Sequence, residues 1–242
     1  MSLKFLYLHL HGLIRSNNLE LGRDSDTGGQ TQYVLELVKS LANTSEVDQV
    51  DIVTRLIKDS KVDSSYSKEQ EFIVPGARIL RFQFGPNKYL RKELFWPYLD
   101  ELTQNLIQYY QKYENKPSFI HAHYADAGYV GVRLSQALKV PFIFTGHSLG
   151  REKRRKLLEA GLKINQIEKL YCISERINAE EESLKYADIV VTSTKQESVS
   201  QYSQYHSFSF EKSKVIAPGV DHTKFHHIHS TTETSEIDNM ML

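Results

Sequence analysis

The sequence has almost no cysteine. Of its 242 residues only Cys172 is a cysteine, so no disulfide can form within the chain. Disulfides stabilise proteins mainly in oxidising compartments, and a chain that cannot form one is more typical of a reducing compartment. Cys172 falls in a stretch whose pattern predicts a helix, and we interpret it as a packing residue.

An excess of charge of either sign is also lacking. Lys and Arg total 30 and Asp and Glu total 30, so the formal net charge is zero. A protein without an overall positive field does not attract nucleic acid or an anionic membrane over a distance. We therefore predict neither nucleic acid nor membrane as a partner.

Long apolar runs are missing as well. No stretch reaches the roughly 20 residues that a membrane-spanning helix needs. The amino-terminal run MSLKFLYLHLHGLIR is too short in apolar residues for a signal peptide and contains histidines. Hydrophobic residues make up 40% and charged residues 25%, ordinary values for a globular protein with a substantial core. We expect a soluble cytoplasmic protein.

The sequence does contain an alternation of strand and helix patterns. Apolar segments predict strands at 5–10, 50–54, 78–84, 119–122, 141–145, 189–192 and 214–217. Apolar residues at helical spacing predict helices from Gly29 and at 94–113, 128–138, 151–160, 165–186 and 196–205, with a loop over 57–75. This alternation predicts an α/β fold with a mainly parallel sheet covered on both faces.

Polar motifs follow several of the predicted strands. HLHG follows the first, GPNK the third, HAHYADAG the fourth and GHSLG the fifth. In open parallel sheets, ligands bind beyond the carboxyl ends of the strands. We therefore expect these motifs to lie at one edge of the sheet and to form the functional site.

The stretch RDSDTGGQ at 23–30 precedes the first predicted helix and allows three interpretations. Asp24, Asp26 and Gly29 match positions of a calcium loop, but Leu35 stands where the required glutamate should be. A plain turn needs no paired glycines. Gly28 and Gly29 would let an anion approach the first free N–H groups of the helix, and we favour this third interpretation slightly.

GHSLG at 146–150 matches the nucleophile elbow of serine hydrolases, with Ser148 as the nucleophile. The acid and histidine candidates further along the chain are Asp188, Asp221, His226 and His227. The next segment, 151–156, carries five basic residues in six, which does not suit a helix packed into a sheet. Such a run is usually a solvated face, although beside a strand end it can also gather phosphate.

Two H-x-H pairs end predicted strands. They are His9 with His11 and His121 with His123. A metallohydrolase can use such pairs, but no clear set of further ligands accompanies them. We expect them to hydrogen-bond neighbouring loops and predict no metal site.

Seven stretches, taken in order, resemble sucrose-phosphate synthases of the cyanobacterial and plant type. They are HGLIRSNNLELGRDSDTGGQTQYVLEL, TRLIKD, FWPYLDEL, HAHYADAGYVG, FTGHSLGREKRRKLL, RINAEEESLKYADIVVTSTKQE and VIAPGVDHTKF. The resemblance extends to about Phe225. It implies a retaining glucosyltransferase of the GT-B type, in which two Rossmann-like domains face each other. Such an enzyme transfers glucose from UDP-glucose to fructose 6-phosphate, without a cofactor.

The resemblance also implies roles for seven residues. His147 would contact the transferred glucose as a catalytic residue, and Gly28 and Gly29 would approach the donor diphosphate. The acceptor sugar phosphate would be bound by Gln30, Lys88, Lys153 and Arg176. Asp24 and Asp26 would then only brace the loop.

Only a short polar segment follows the part that resembles this family. We expect residues 1–225 to form one Rossmann-like acceptor-binding domain, the N-terminal half of a GT-B fold, and residues 226–242 to form a polar tail or linker. The family's second domain, with the donor pocket and a glutamate pair, would be missing, so a separate donor domain is one expected partner and the chain alone would be inactive. The alternatives are sucrose synthase or another GT-B transferase, the serine hydrolase, and a non-catalytic binding module.

Overall fold

Eight strands form one sheet in the computed structural model, which describes residues 2–113 and 116–220. The strands are β1 (Leu3–Leu8), β2 (Val47–Arg55), β3 (Gln70–Val74), β4 (Ala77–Phe82), β5 (Phe119–His123), β6 (Phe142–Thr145), β7 (Ile189–Thr192) and β8 (Ser213–Val215). Their order across the sheet is β3-β4-β2-β1-β5-β6-β7-β8. Every neighbouring pair is parallel except β3 with β4. The predicted α/β fold with a mainly parallel sheet is confirmed.

Seven α-helices are present in the described residues. They are α1 (Gly29–Ala42), α2 (Leu99–Tyr113), α3 (Ala125–Leu138), α4 (Gly150–Glu159), α5 (Ile164–Tyr171), α6 (Ile173–Tyr186) and α7 (Lys195–Ser200). Within this part of the chain, no helix is long and apolar enough to cross a membrane.

The core lies on both faces of the sheet, as the continuous apolar strands predict. Successive side chains of β1 point to opposite faces, so Leu6 and Leu8 enter one cluster and Tyr7 the other. The first cluster includes Leu102 of α2, and the second includes Val34 of α1. The sheet is therefore packed on both faces, and its carboxyl edge is the part available for a functional site.

The predicted loop at 57–75 was wrong in part, because residues 70–74 form the edge strand β3. Glu71 pairs with Ile79 of β4 in antiparallel register. Phe72, which should mark the apolar face of a strand, is 71% exposed. An edge strand with this mixture of side chains shows no clear alternation, which is why the pattern did not predict it.

The single helix predicted at 165–186 is also wrong, because it is divided at Cys172. This residue ends α5 in a left-handed conformation with φ of 44°, and its N–H donates to the carbonyl of Glu168 at 2.9 Å. Its thiol is half-buried and 3.4 Å from the carbonyl oxygen of Glu93. Cys172 therefore lies at a corner between two helices rather than within a helix.

Two other helices are shorter than predicted. The segment before α2 forms 3₁₀ turns at 92–94 and 96–98, and Pro97 lies in the second of them. The helix predicted at 196–205 ends at Ser200, and another 3₁₀ turn follows. The expected tail at 226–242, together with Asp221, His226 and His227, lies outside the described residues.

Candidate functional site

A cavity of about 450 Å³ opens near the carboxyl edge of the sheet. Because β1, β5 and β6 run parallel, the segments after them lie together at this edge. Five of the seven predicted site residues line the cavity, namely Gly28, Gly29, Gln30, Lys153 and Arg176. The structure thus brings together residues that are up to 148 positions apart in the chain.

The loop before α1 is braced by its two aspartates. Asp24 Oδ1 accepts hydrogen bonds from the N–H groups of Asp26 at 2.9 Å and Thr27 at 2.8 Å. Asp26 is buried, and its carboxylate accepts from the backbone N–H of Lys92 at 2.9 Å and pairs with the Lys92 ammonium. Burial opposes the charge on Asp26, but the bonds from Lys92 outweigh it and lower the pKa of the carboxyl. Both carboxylates are therefore engaged within the protein.

Neither glycine of this loop is required by the fold. A Cβ atom added at Gly28 or Gly29 would meet no protein atom within 4 Å, and neither residue has a left-handed φ. Gly28 is the N-cap of α1, and among the described residues no side chain caps this end. The first N–H groups of α1 are thus open to the cavity, where the helix dipole favours an anion.

Arg176 is a buried cation on the wall of the cavity, 3% exposed. Its Nε donates to Glu180 Oε1 at 2.9 Å, and its Nη2 donates to the carbonyl and hydroxyl oxygens of Ser148 at 2.6 and 2.9 Å. The guanidinium lies 4.5 Å from the centre of the Tyr124 ring. Burial works against its charge, but Glu180 and Tyr124 raise the pKa of Arg176 above its ordinary value. The charge is therefore permanent and its position is fixed.

Lys153 is the one member of the basic run that reaches the cavity. Its ammonium lies 3.8 Å from the centre of the Tyr171 ring. Burial lowers the pKa of Lys153 to about 8, and the nearby cations Arg176 and Lys92 add to the effect. The neighbours Arg155 and Lys156 pair instead with Glu152 of the same helix. The run is thus partly a solvated face and partly a contributor to the cavity.

Two cations of the cavity, Arg91 and Lys92, were missed from the sequence. The predicted residue Lys88 is exposed and does not line the cavity. The guanidinium of the buried Arg55 holds this loop, since Nη2 donates to the Lys88 carbonyl at 2.9 Å. The contact of Lys88 with an acceptor stays a prediction. The sequence signal that could have identified Lys92 is the basic pair Arg91-Lys92, which is separated from the GPNK motif by two residues.

His147 lies beside the cavity and is not part of its lining. It has a left-handed backbone, with φ of 56°, between β6 and α4. Its Nε2 is 2.8 Å from Nδ1 of His123, and its ring contacts Tyr33 edge-on at 5.3 Å. Burial, with a contribution from His11, lowers the pKa of His147 to about 3. The ring is therefore neutral, and its catalytic role stays a prediction.

The H-x-H pairs contact neighbouring elements. His11 Nδ1 lies 2.9 Å from Asp126 Oδ2, and His121 Nε2 lies 2.8 Å from the Thr145 hydroxyl. His9 Nδ1 lies 3.0 Å from the amide nitrogen of Gln30 and so orients this cavity residue. Among the described residues, no three His, Cys, Asp or Glu side chains are placed to share a metal ion.

The structure does not assemble a hydrolase triad from the described candidates. Ser148 follows the carboxyl end of β6, whereas Asp188 accepts a hydrogen bond from the N–H of Phe142, at the opposite end of that strand. Within the described segments, no imidazole hydrogen-bonds to Ser148, whose hydroxyl oxygen is held by Arg176. The remaining candidates, Asp221, His226 and His227, are in the part that is not described.

Comparisons with known proteins support one family. A family model described as the sucrose synthase first GT-B domain matches residues 2–235. The chain is 42% identical over 232 residues to a probable sucrose-phosphate synthase 2 of Arabidopsis thaliana, covering 85% of this chain and 22% of that relative. It is also 42% identical over 229 residues to sucrose-phosphate synthase of Spinacia oleracea, and this match covers 83% of this chain and 22% of that relative.

Solved structures agree on the fold. Sucrose-phosphate synthase from Thermosynechococcus elongatus superimposes with a TM-score of 0.73 at 23% identity, covering 97% of this chain and 53% of that one. Anabaena HepE in complex with UDP-glucose gives a TM-score of 0.57 at 15% identity, covering 99% of this chain and 50% of that one. The chain therefore spans about half of these structures and only 22–26% of the curated relatives.

Proposed function

The chain belongs to the sucrose synthase first GT-B domain family, and from this premise we propose that it is the acceptor-binding domain of a glucosyltransferase of the sucrose-phosphate synthase type. The reaction is the transfer of glucose from UDP-glucose to fructose 6-phosphate, giving sucrose 6-phosphate and UDP. Relatives at 42% identity named sucrose-phosphate synthase support this assignment. The donor domain lies on further polypeptide, with a boundary near residue 225. A cytoplasmic location is part of the proposal and agrees with the single cysteine.

The charge of the cavity is the observation that carries the proposal. Four cations line it, Arg91, Lys92, Lys153 and Arg176, against two carboxylates, Asp26 and Glu93. The chain as a whole has no net charge, so this excess is local. A phosphate group carries close to two negative charges near neutral pH. The buried Glu180, which pairs with Arg176 at 2.9 Å, offsets one of these charges, and the remaining local excess of one positive charge suits a phosphorylated acceptor sugar.

The remaining residues fit the two sugars and the diphosphate. In this proposal Gln30, oriented by His9, contacts the fructose ring. The open space at Gly28 and Gly29 admits the donor diphosphate to the first N–H groups of α1, a favourable place for an anion. His147, beside the cavity, contacts the transferred glucose.

No side chain of this domain acts as a nucleophile in the proposed mechanism. The bond between glucose and the diphosphate breaks while the bond to the fructose hydroxyl forms on the same face of the glucose ring. The proton of the acceptor hydroxyl passes to the leaving diphosphate oxygen. The domain contributes position and fixed positive charge, which are the major sources of rate enhancement in such transfers.

Sucrose synthase is the second candidate, because the matched family model carries that name. Its acceptor would be fructose without a phosphate. The two candidates differ in what the cations of the cavity contribute. Charge-assisted hydrogen bonds to a phosphate contribute about 1.5–3 kcal/mol each, so a phosphate-binding cavity discriminates strongly against fructose.

Isothermal calorimetry on the whole chain tests the proposal. We expect fructose 6-phosphate to bind, inorganic phosphate to bind more weakly, and fructose to bind at least about tenfold more weakly than its phosphate. Equal affinities for fructose and fructose 6-phosphate would favour the sucrose synthase candidate. Absence of binding by both sugars would contradict an acceptor-binding role.

A further inference from the structure

A second groove lies next to the candidate site, on the outer side of Trp96. Its volume is about 620 Å³, within the range of about 300–1,000 Å³ that small-molecule sites occupy. Trp96 lines this groove and also a small crevice of about 10 Å³. Tyr124, Tyr171 and Arg176 line both this crevice and the main cavity. The groove is thus adjacent to the main cavity but has walls of its own.

The walls of the groove come from three elements. Tyr129 and Arg133 are one turn apart on α3, and Glu175, Asn178 and Glu182 follow one another along one face of α6. Trp96 lies in the 3₁₀ turn before α2. Helices α3 and α6 pack against each other, so the two polar rows are held at a fixed separation.

Two aromatic rings, those of Trp96 and Tyr129, line the groove. The rings of Trp96 and Tyr129 meet edge-to-face, with centres 6.4 Å apart and planes at 89°. The guanidinium of Arg133 lies 3.4 Å from the centre of the Tyr129 ring, and the Tyr129 hydroxyl donates to Asp100 at 2.8 Å. Arg133 covers one face of the Tyr129 ring, so the half-buried indole of Trp96, which also packs against the core, provides the remaining aromatic surface of the groove.

The charges of the groove disfavour an anionic ligand. Arg133 is paired with Glu182 at 2.9 Å, and Glu175 is exposed, so the lining has no positive excess to hold a phosphate. A cationic group cannot use the face of the Tyr129 ring that Arg133 already covers. Carboxylate oxygens and the Asn178 amide remain as partners for hydroxyl groups.

A neutral saccharide has the matching chemistry, because it presents an apolar C–H face for an aromatic ring and hydroxyl groups for carboxylates and amides. We propose that the groove between Trp96, α3 and α6 is a second sugar-binding site, for saccharides that carry no anionic group. It is distinct from the cavity proposed for the phosphorylated acceptor, and it does not depend on the proposed function.

The chain has one tryptophan, so its fluorescence reports directly on Trp96. Maltose is the probe, because it carries neither the fructose ring nor the phosphate proposed for the main cavity. We expect a saturable change in tryptophan fluorescence, with a dissociation constant in the millimolar range. Replacement of the exposed Asn178 (N178A) should weaken binding about fivefold, the loss expected for one neutral hydrogen bond.

Two variants serve as controls. Asn165→Ala changes an exposed asparagine of α5 outside the groove and should leave maltose binding unchanged. Lys153→Ala, which we expect to weaken phosphate binding in the main cavity, should also leave maltose binding unchanged. A fluorescence response that does not saturate, equal losses in Asn178→Ala and Asn165→Ala, or a loss in Lys153→Ala would overturn the second site. None of these results bears on fructose 6-phosphate binding, so the two proposals fail separately.

Discussion

Nδ1 of His123 lies 2.8 Å from Nε2 of His147 at the carboxyl edge of the sheet, where the His123 imidazole is buried and the His147 imidazole is half-buried. Burial lowers the pKa of both, that of His147 to about 3. The pair is therefore neutral near pH 7, and one ring donates its proton to the other. This contact fixes the orientation of the residue for which we propose contact with glucose.

We predict that the protein loses stability in mild acid because of its buried histidines. Burial lowers the pKa of four of them, His9, His121, His123 and His147. In the unfolded chain these rings take up protons near pH 6.5, whereas in the folded protein they do not. The contribution of these histidines to the free energy of unfolding is full above about pH 6.5. It is lost as the pH falls towards about 3, at about 1.4 kcal/mol per pH unit for each histidine.

Urea denaturation at pH 7.5 and 5.0 measures this loss. His121→Gln should reduce the loss of unfolding free energy between the two pH values by the amount that one histidine contributes. His206→Gln, which replaces an exposed histidine, is the matched control. Equal unfolding free energies at both pH values would contradict neutral buried histidines.

A second prediction concerns the paired glycines. A Cβ at residue 29 meets no protein atom within 4 Å. Gly29→Ala should therefore leave the free energy of unfolding unchanged or raise it by up to about 1 kcal/mol, and the melting temperature should not fall. The added methyl group enters the cavity next to Gln30, for which we propose contact with the fructose ring, so affinity for fructose 6-phosphate should fall at least about threefold. Gly219→Ala, at another unobstructed glycine, is the control for both measurements. A stability loss in Gly29→Ala with unchanged affinity would mean that the glycine serves the fold.

The sequence predicted the fold better than it predicted the site. Strand β1 contains the continuous apolar run Phe5–Leu8, and polar motifs follow the parallel strands, so the sheet and its functional edge were predictable. The corner at Cys172 was not, because a left-handed cysteine leaves no mark in an apolar periodicity. Lys92 is held at the cavity by Asp26, 66 residues away, whose carboxylate accepts from its backbone N–H and pairs with its ammonium. Contacts at such separation depend on tertiary structure, which local patterns do not describe.

A third prediction follows from the pKa of Lys153. Burial, with the neighbouring cations Arg176 and Lys92, lowers this pKa to about 8, so the ammonium is charged below pH 8 and neutral above it. The phosphate of the sugar is already dianionic above pH 7. Affinity for fructose 6-phosphate should therefore fall as the pH rises from 7 to 9.5. Lys153→Arg should bind with little change across this range, because its guanidinium stays charged. The same decline in both proteins would show that another group titrates.

A fourth prediction concerns catalysis by the 242-residue chain alone. A transfer reaction gains roughly 7–11 kcal/mol from holding both substrates in contact, and the chain spans about half of the structure of a similar synthase. We therefore expect UDP release from UDP-glucose and fructose 6-phosphate at the background rate. A coupled assay for UDP measures it, with a full-length synthase as the positive control. Sustained turnover by the purified chain would refute the need for a donor domain.

The central claim, that this cavity binds the phosphate of an acceptor sugar, is tested most directly by calorimetry of fructose 6-phosphate with two variants of one helix. Lys153 lines the cavity, and Arg154, its neighbour on α4, carries the same charge but does not line it. Lys153→Ala should weaken binding at least about tenfold, since the loss of about 1.4 kcal/mol from one charged contact has this effect. Arg154→Ala should change affinity by less than about twofold. Equal losses in the two variants would contradict a defined phosphate site and indicate only a diffuse basic surface.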